Sequence, residues 1–591
     1  REKSTEYIKQ LIGKTLKIDI NKLDTNEQFE KYGIDSILVI ELTNSLRKVF
    51  DNISSTIFFE YITIDDLVEH LIITQKNSLI KLVGLDKIEN NNNQKQHEQS
   101  INNDSLRKPR TFIKTNESVS TKEKNGSEYE VEDIAVIGIS GRYPKARNLN
   151  EFWNNLKNGE NCISEIPSNR WDWKDHYDEK KGKKGIMYTR WAGFMEDIDK
   201  FDPLFFNISP REAERMDPQE RLFLEIAYES IEDAGYTPEN ISTSRKVGVF
   251  TGVMNGYYPG GHSFSSIANR VSYIFNFQGP SMALDTACSS SLTALHLALE
   301  SLYSGSIECA IAGGVNLIMH PNHLIRRSEM TMLSEGNECK VFGVGADGFV
   351  DGEGVGAVIL KPLKKAKEDG DHIYGIIKGS MINTAGKTNG YTVPNPAVQS
   401  QLITEALKRA KVNAREISYL EAHGTGTILG DPIEVKGATS AFEEDTKERQ
   451  FCSIGSVKSN IGHCESAAGV AGLTKLLLQL KYKQLVPSIH SKELNPNIDF
   501  DNSPFYVQQE LQEWKRPIIN IDGVEKECSR IAGLSAFGAG GSNAHIVLEE
   551  YITNNESEIS YSIMNPVIIL LSAKNEEGLC GRVKRLLTAV E

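Results

Sequence analysis

The chain has 591 residues, 39% hydrophobic and 25% charged, so it exceeds one ordinary domain of roughly 100–200 residues and has enough apolar residues for a large core. With 66 Lys and Arg against 80 Asp and Glu, its net charge is −14, and no basic excess is available for general nucleic-acid binding. No apolar run reaches the ~20 residues that span a bilayer, no signal peptide is seen, and the eight cysteines include no C-x-x-C pair. These features argue against a membrane protein, a disulfide framework and a structural zinc site, and we expect a cytoplasmic protein.

Residues 1–78 are predicted to form a small helical bundle. Apolar residues have helical spacing in Tyr7–Leu16 and Ile37–Val49, and a last helix, Ile64–Ile73, begins after the capping residue Thr63. The segment is acidic, with 13 Asp and Glu against 9 Lys and Arg in its first 69 residues. Three or four helices account for its apolar content.

Residues 79–130 are predicted to be a flexible linker. They include four consecutive asparagines, Asn90–Asn93, and are otherwise rich in Gln, Lys, Ser and Thr. Such a stretch cannot bury enough apolar area to offset its ordering entropy. Its first residues, Leu79–Leu85, are compatible with a helical extension.

From Ile134 onward, short β-branched segments alternate with long helical ones in two glycine-rich halves, which predicts a duplicated α/β core. Strands are predicted at Ile134–Ile139, Lys246–Thr251, Cys309–Val315, Gly354–Leu360 and Ala544–Leu548. Long helices are predicted at Glu212–Ala234, Ser290–Leu302, Ser400–Ala410 and Glu465–Leu480. Residues 552–591, with a strand at Val567–Ala573 and a helix at Glu576–Glu591, are expected to begin a further linker subdomain.

Ser36 ends the sequence G-I-D-S, where a turn meets the second predicted helix. A serine there also suits a helix N-cap, worth about 1 kcal/mol, so the motif alone leaves both roles open. The small acidic helical domain, the G-I-D-S turn and the downstream tether together resemble an acyl carrier protein over residues 1–78. The resemblance implies that a phosphopantetheinyl transferase attaches a 4′-phosphopantetheine arm to Ser36, beside Asp35. Leu42 stands where some β-branching carriers have Trp, so we expect an ordinary carrier.

Cys288 lies in the sequence D-T-A-C-S-S-S, directly before the predicted helix that begins at Ser290. Its small neighbours permit a tight strand-to-helix turn that presents the thiol at a helix N-terminus, where the dipole lowers a thiol pKa. We therefore expect Cys288 to be a reactive nucleophile. A lone cysteine is more often a buried structural residue, and that role is assigned to the other seven.

Two histidines lie in turns of small residues, His423 in E-A-H-G-T-G-T and His463 at the end of K-S-N-I-G-H. A single histidine is more often structural than catalytic. Both of these, however, adjoin candidate strand ends, where loops of α/β folds carry functional residues. His296, on the helix after Cys288, is interpreted as packing.

The blocks DTACSSSL, EAHGTGT, KSNIGH and AFGAGGSNAH, in this order, resemble those of a β-ketoacyl synthase. More narrowly, residues 131–551 resemble the ketosynthase domain of a modular polyketide synthase. The resemblance implies a thiolase fold with αβαβα layers, a homodimer, and decarboxylative Claisen condensation. It also implies that an upstream carrier delivers the acyl chain and that a later carrier bears the malonyl group. The sequences DPQER at 217–221 and LSAK at 571–574 resemble systems whose acyltransferase acts in trans.

By motif position, Cys288 is implied to take the acyl chain as a thioester. His423 and His463 are implied to bind the malonyl thioester carbonyl and support decarboxylation. This assignment is chemically sound, because two imidazole N–H donors stabilise the enolate charge where it develops, and no metal is required.

Other residues are implied to have supporting roles. Lys458 and Glu465 would hold the two histidines and their charges, and Thr425 and Thr427 would contact the pantetheine arm. The backbone N–H of Phe537 would complete an oxyanion hole with that of the nucleophile, and its ring would form a gate.

Three other functions stay open. A non-elongating ketosynthase transfers acyl groups without condensation, but such domains usually lack the histidine of HGTGT, and His423 is intact. A docking scaffold with a vestigial site conflicts with the complete Cys–His–His set. A fatty-acid condensing enzyme is also compatible, although the fused carrier and long tether favour a polyketide synthase. One departure is Gly343, which stands where such domains usually have Asp and predicts drift in substrate specificity.

Overall fold

A computed structural model describes residues 1–16, 18–32, 36–50, 53–54, 56–82, 132–259, 263–388, 390–521, 524–552 and 568–590. The chain divides into two compact units, Arg1–Glu132 and Asp133–Glu591. Among the described residues, no helix is both long and apolar enough to cross a membrane. Most of the predicted linker, and Asp35 of the G-I-D-S turn, lie outside the described residues.

The first unit is helical where it is described. Its helices are α1 (Glu2–Leu16), α2 (Ser36–Arg47), α3 (Ile57–Glu60), α4 (Ile64–Thr74) and α5 (Lys76–Leu82). The three predicted helices are present, and Thr63 caps α4 by accepting the N–H of Asp66 at 3.1 Å. The helices share one apolar core that includes Ile8, Leu42, Phe58, Leu67, Leu71 and Leu79.

The second unit contains all the strands in this list: β1 (Ile134–Arg142), β2 (Ser164–Glu165), β3 (Trp191–Gly193), β4 (Val247–Gly252), β5 (Ser281–Leu284), β6 (Cys309–Asn316), β7 (Asp351–Gly352), β8 (Gly354–Pro362), β9 (Gly375–Thr384), β10 (Ile417–Glu421), β11 (Cys452–Gly455), β12 (Gln484–Leu485), β13 (Phe505–Val507), β14 (Gln512–Glu513), β15 (Ile518–Ile521), β16 (Val524–Glu527), β17 (Ile531–Phe537) and β18 (Ser542–Glu549). The five predicted strands are among them.

The helices of the second unit are α6 (Leu149–Lys157), α7 (Pro210–Ala213), α8 (Pro218–Asp233), α9 (Ser265–Phe275), α10 (Ser290–Tyr303), α11 (Asn322–Glu329), α12 (Leu363–Asp369), α13 (Pro396–Ala410), α14 (Gly430–Phe442), α15 (Lys458–Ile461), α16 (Ala468–Tyr482) and α17 (Glu576–Val590).

Eleven described strands form one mixed sheet in the order β13-β11-β10-β17-β18-β9-β1-β8-β6-β4-β5. In one half, β4 is parallel to β5 and β6, and β8 is antiparallel to β6 and β1. In the other half, β10 is parallel to β11 and β17, and β18 is antiparallel to β17 and β9. The halves meet where β1 pairs with β9. The repeated pairing confirms the predicted duplication.

Helices α10 and α16 lie between the two halves of the sheet. Helix α10 packs on β4 and β6 of one half and on β18 of the other, and α16 packs on β8 and β17. Both helices are buried along most of their length, as expected for helices covered on two sides. Helices α8 and α9 cover the first half, and α13 covers the second with α14 packed against it. The expected αβαβα layering is confirmed.

The single helix predicted over Glu212–Ala234 is wrong, because α7 and α8 are separate helices. Pro218 is the first residue of α8 and disfavours a helical conformation in the residue before it. Asp217 instead caps α8 by accepting the N–H of Gln219 at 2.8 Å. The proline therefore starts a new helix.

The strand predicted at Val567–Ala573 is also wrong over the described residues 568–573, which have no regular structure. Ile568 and Leu570 are 84% and 89% exposed. A β-strand needs a hydrogen-bonded neighbour, so apolar β-branched sequence alone does not form one. The following helix, α17, is present as predicted. The helix predicted from Glu465 begins as a 3-10 turn and continues as α16.

Candidate active site

Cys288 lies in the turn between β5 and α10, two residues before the helix begins. Ala287 has a left-handed φ of 54°, which is uncommon for a residue with a Cβ. The hydroxyl of Ser290 holds this turn, because it accepts the N–H of Thr286 at 2.9 Å and donates to the Ala287 carbonyl at 2.6 Å. The turn presents the half-buried thiol at the helix N-terminus, where the small-residue sequence predicts it.

The thiol is not acidic, and the expectation of a lowered pKa is wrong. Burial raises the pKa of Cys288 to about 11, and the carboxylate of Glu465 adds to the increase. A hydrogen bond from the Ala539 N–H and the positive charges of Arg327 and Lys458 lower this pKa only in part. Desolvation of a thiolate therefore outweighs the helix terminus here, and the group is a protonated thiol at neutral pH.

His423 follows β10 in a loop that two carboxylates of α14 hold in place. Glu434 accepts the N–H of His423 at 2.6 Å and that of Gly424 at 2.8 Å. Asp431, three residues earlier on the same helix, accepts the next two backbone N–H groups, both at 3.1 Å. Gly424 has a φ of 40°, in the region that favours glycine. The loop conformation is thus fixed by buried hydrogen bonds.

His463 lies two residues after α15, and backbone groups fix both its main chain and its ring. Its N–H donates to the Val350 carbonyl at 2.7 Å, and the Gly352 N–H donates to its carbonyl at 3.0 Å. The N–H of Glu465 donates to ring atom Nδ1 at 3.1 Å. Because Nδ1 accepts this bond, the proton of the neutral ring is on Nε2. Nε2 is buried and has no partner among the described residues.

The three candidate catalytic residues converge. The thiol of Cys288 and a ring nitrogen of each of His423 and His463 lie within 4.8 Å of one another. The two imidazole rings are nearly perpendicular, with centroids 5.4 Å apart. Burial and the positive charge of Lys458 lower the pKa of both histidines, to about 3 for His463. Both rings are therefore neutral at physiological pH and have an N–H available for donation.

A sulfur and two imidazoles are also donor types found at zinc sites. Here the positive charges of Lys458 and Arg327 act on the same ring, since both lower the pKa of His463. Such charges oppose a bound cation. The site favours an incoming oxygen that gains negative charge during reaction.

The two supporting residues named from the sequence both border the cluster. Lys458 is 3% exposed. The Glu465 carboxylate accepts hydrogen bonds from Arg327, at 2.6 Å and 3.0 Å, and from Asn255. Although burial raises the pKa of Glu465, His323 and Arg327 lower it to about 2. Glu465 is thus an anchored carboxylate whose backbone N–H orients His463.

The candidate pantetheine-contacting residues, Thr425 and Thr427, are half-buried on the loop that follows His423. Their hydroxyls are 3.3 Å apart, and that of Thr427 accepts the N–H of Gly430 at 3.1 Å. Hydroxyl side chains alternate with glycines along this loop. The arrangement is compatible with an extended, amide-containing ligand.

Phe537 ends β17, and its ring centroid lies 5.7 Å from that of His423. Its position beside the cluster agrees with a gate. The N–H that the structure brings to the Cys288 thiol belongs to Ala539, which sequence reasoning missed. Gly540 and Gly541, with φ of 102° and 92°, turn the chain there. The two consecutive glycines were the available signal for a backbone donor at this turn.

Residues 131–366 match the N-terminal domain of β-ketoacyl synthases, and residues 374–492 match their C-terminal domain. A ketosynthase from module 6 of the bacillaene synthase of Bacillus subtilis is 46% identical, with a TM-score of 0.68 over 72% of this chain and 73% of that one. The chain belongs to the ketosynthase family. An oxazolomycin ketosynthase domain from Streptomyces albus is 43% identical, with a TM-score of 0.72 over 77% of this chain and 80% of that one.

The ketosynthase is also similar to much longer proteins. Polyketide synthases PksM and PksL of Bacillus subtilis are 61% and 52% identical to it over its whole length. The chain spans 14% and 13% of the length of these two relatives. Residues 6–71 match the phosphopantetheine attachment site, and residues 495–590 match the ketoacyl-synthetase C-terminal extension. The chain thus combines a phosphopantetheine attachment domain with a β-ketoacyl synthase.

Two residues of the ketosynthase site, Asp431 and Glu434, were not found from the sequence. Both are fully enclosed, and burial raises the pKa of Asp431 to about 6 and that of Glu434 to about 7. Two acids three residues apart, at the start of a helix directly after HGTGT, were the available signal. Their role depends on the position of α14 against the loop of His423, which places both carboxyl groups at the backbone N–H groups of that loop.

Gly343 of the ketosynthase lies against a neighbouring chain segment. It forms an isolated β-bridge with Leu494, and a Cβ at this position would collide with the carbonyl oxygen of His490. The preceding residue, Phe342, donates its N–H to Asp431 at 2.9 Å. The segment of Phe342 and Gly343 therefore helps to fix Asp431, which in turn holds the loop of His423. The effect of Gly343 on specificity stays a prediction.

Proposed function

We propose that this chain extends a polyketide by decarboxylative Claisen condensation, with Cys288 as the nucleophile and His423 and His463 as donors to the enolate oxygen. The observation that carries this proposal is the convergence of one thiol and two neutral imidazoles within 4.8 Å. A decarboxylating thioester develops negative charge on its carbonyl oxygen. Neutral N–H donors held at that oxygen stabilise the transition state more than the ground state.

In the first step, the sulfur of Cys288 attacks the carbonyl carbon of an acyl thioester. The carbon–sulfur bond to the incoming carrier thiol breaks, and that thiol leaves with the proton that Cys288 releases. Because the pKa of Cys288 is raised to about 11, little thiolate is present at neutral pH, and we propose that deprotonation accompanies attack. The N–H groups of Cys288 and Phe537 are proposed to bind the tetrahedral oxyanion, with the Ala539 N–H beside the sulfur.

In the second step, a malonyl thioester loses CO2 while its carbonyl oxygen accepts hydrogen bonds from His423 and His463. The enolate carbon then attacks the acyl group on Cys288, and the sulfur of Cys288 leaves as the new carbon–carbon bond forms. Lys458 is proposed to keep the two imidazoles neutral, because its charge lowers the pKa of both, and Glu465 to orient His463 through its backbone N–H. Both are almost fully buried beside the rings.

The carrier unit supplies the acyl group in this proposal. Ser36 is the first residue of α2, and the dipole and unpaired N–H groups at a helix N-terminus favour a phosphate. The position therefore fits the attachment of 4′-phosphopantetheine, whose terminal thiol holds the acyl chain as a thioester. Thr425 and Thr427 are proposed to contact this arm. The domain boundaries at residues 78, 130 and 551 are part of the same proposal.

The proposed partners are a phosphopantetheinyl transferase, a later carrier that bears the malonyl group, and an acyltransferase that acts in trans. A homodimer is supported by β5, which ends the eleven-stranded sheet, leaves Met282 exposed and has no strand partner on its outer side among the described residues. A cytoplasmic location is supported by the eight free cysteines.

A transfer-only ketosynthase is the second candidate, and the presence of His423 beside His463 argues against it. Intact-mass spectrometry separates the two. A short acyl thioester is supplied first, and a separate malonyl-loaded carrier second. Acyl mass on Cys288, followed by a carrier-bound β-ketoacyl product with loss of CO2, supports extension. Acylation of Cys288 without any extended product contradicts it.

A further inference from the structure

A buried polar cluster lies next to His463. It contains two carboxylates, those of Asp351 and Glu465, together with His323 and Arg327 of α11. His323 Nε2 lies 3.0 Å from Asp351 Oδ2 and 3.5 Å from Glu465 Oε2. All three of these side chains are at most 2% exposed. Burying several ionisable groups together has a large desolvation cost in free energy. Such a cluster therefore indicates a role beyond packing.

Each carboxylate belongs to a segment that holds His463. Asp351 forms a β-bridge with His463, and its two neighbours exchange backbone hydrogen bonds with that histidine. Glu465 donates its N–H to Nδ1 of the ring. It does so from a strained backbone with a φ of 42°. The Asp351 segment thus fixes the main chain of His463, and the Glu465 segment fixes its ring. The side chains of Asp351 and Glu465 both reach His323.

Helix α11 supplies both cations. His323 and Arg327 are four residues apart, so they lie on one face of the helix. Arg327 donates to the Glu465 carboxylate through two nitrogens. His323 lies beside the carboxylate of Asp351 in addition to that of Glu465. Although burial lowers the pKa of His323, the charges of Asp351 and Glu465 raise it above its ordinary value. Each carboxylate of the cluster therefore has a basic side chain of α11 beside it.

A metal ion is a poor alternative for this cluster. Oε2 of Glu465 already accepts hydrogen bonds from Arg327 and Asn255, which use both lone pairs of that oxygen. The guanidinium charge of Arg327 also opposes a cation. A protonated imidazole needs no further lone pair and satisfies the same charges.

We propose that His323 is a positioning residue for His463, linking the Asp351 and Glu465 segments so that the Nε2–H of His463 stays aimed at the malonyl thioester oxygen. This inference rests on the proposed condensation. It assigns His323 no contact with substrate. Its effect is therefore confined to the step that uses the His463 donor, and acylation of Cys288 does not depend on it.

The test compares His323→Leu, which removes the N–H, with His323→Gln, which keeps a donor near the Nε2 position. Acylation of Cys288 and decarboxylation of a malonyl-loaded carrier are measured separately by intact mass. We expect His323→Leu to slow decarboxylation about tenfold while acylation changes little, and His323→Gln to restore most of the rate. His296→Leu is the matched control, because His296 is also buried but bonds Ser380 on another face of the core.

Equal losses in acylation and decarboxylation, or no recovery with Gln, would show that His323 only supports folding. If His323→Leu does not fold, Asp351→Asn carries the test, because it keeps the size of the side chain and removes its charge. Unchanged decarboxylation in Asp351→Asn overturns the proposal. Loss of the wild-type activity on treatment with a chelator also overturns it in favour of a metal. A wild-type protein that never decarboxylates the malonyl carrier contradicts the proposed function itself, which is a separate outcome.

Discussion

The backbone N–H of Glu465 donates to Nδ1 of His463 at 3.1 Å, which leaves the ring proton on Nε2. A backbone donor cannot rotate away, so this bond fixes the tautomer as well as the ring orientation. Since burial lowers the pKa of His463 to about 3, the ring does not gain a second proton at physiological pH. His463 is therefore suited to donate a hydrogen bond and unsuited to act as the base that deprotonates Cys288.

Replacing His463 by Ala removes this donor. We expect decarboxylation to fall by about 100- to 1,000-fold, the usual effect of losing one oxyanion donor, while acylation of Cys288 persists. The same split is expected for His423→Ala. Both rates are read from one intact-mass time course on each variant. A matching loss of acylation would contradict the assignment of these rings to the second step.

The raised pKa of Cys288 predicts how its reactivity depends on pH. Because the pKa is shifted upward to about 11, the thiolate fraction at neutral pH is small and increases about tenfold with each pH unit. Alkylation of Cys288 by iodoacetamide should therefore accelerate throughout the range from about pH 7 to 9. The exposed Cys580 is first replaced by Ser so that it does not react. A rate that levels off below pH 9 would show that the helix terminus dominates after all.

Cys288 and Ser36 are expected to have separate functions, acyl transfer for Cys288 and loading of the carrier for Ser36. Cys288→Ala should abolish acyl transfer from every donor, because no other thiol lies in the cluster. Ser36→Ala should prevent loading of the carrier and leave acylation from a soluble thioester intact. Phosphopantetheinyl transfer and acylation are followed as separate mass additions. Loss of soluble-donor acylation in Ser36→Ala would refute this division.

Glu434 is expected to be essential for the loop of His423. Glu434→Ala leaves two buried N–H groups without an acceptor, at a cost of about 1–3 kcal/mol each in the free energy of unfolding. Glu434→Gln keeps one acceptor oxygen and should lose about half as much. Chemical denaturation measures both, with Lys436→Ala, an exposed change on the same helix, as the control. Equal stability of the Ala and Gln variants would contradict this role.

Gly343 is expected to be required by packing. A Cβ there would collide with the His490 carbonyl, so Gly343→Ala should reduce the free energy of unfolding by about 1–3 kcal/mol. Acylation rates with a short and a long acyl thioester test the specificity hypothesis in the same variant. Unchanged stability together with a changed preference between the two donors would favour specificity drift.

The sequence was sufficient for the local features of this protein. The apolar spacing of α1, α2 and α4, the β-branched segments at β1, β6 and β8, and the small residues around Cys288 all gave the correct elements. The reason is that helix periodicity, strand composition and turn geometry depend on residues close together in the chain. The order of the four motifs that resemble a β-ketoacyl synthase also led to Cys288, His423 and His463, which the structure brings together.

Contacts between distant segments decided the rest. The pKa of Cys288 could not be read from its helix terminus, because it depends on burial, on the charge of Glu465 and on a hydrogen bond from Ala539, both more than 170 positions away in the chain. Pro218 divided a predicted helix, and residues 568–573, which pair with no other strand in the described part of the chain, are irregular. The cluster of His323, Asp351 and Glu465 has no local signal at all. Electrostatic and desolvation energies depend on distance in space, and only the folded chain sets those distances.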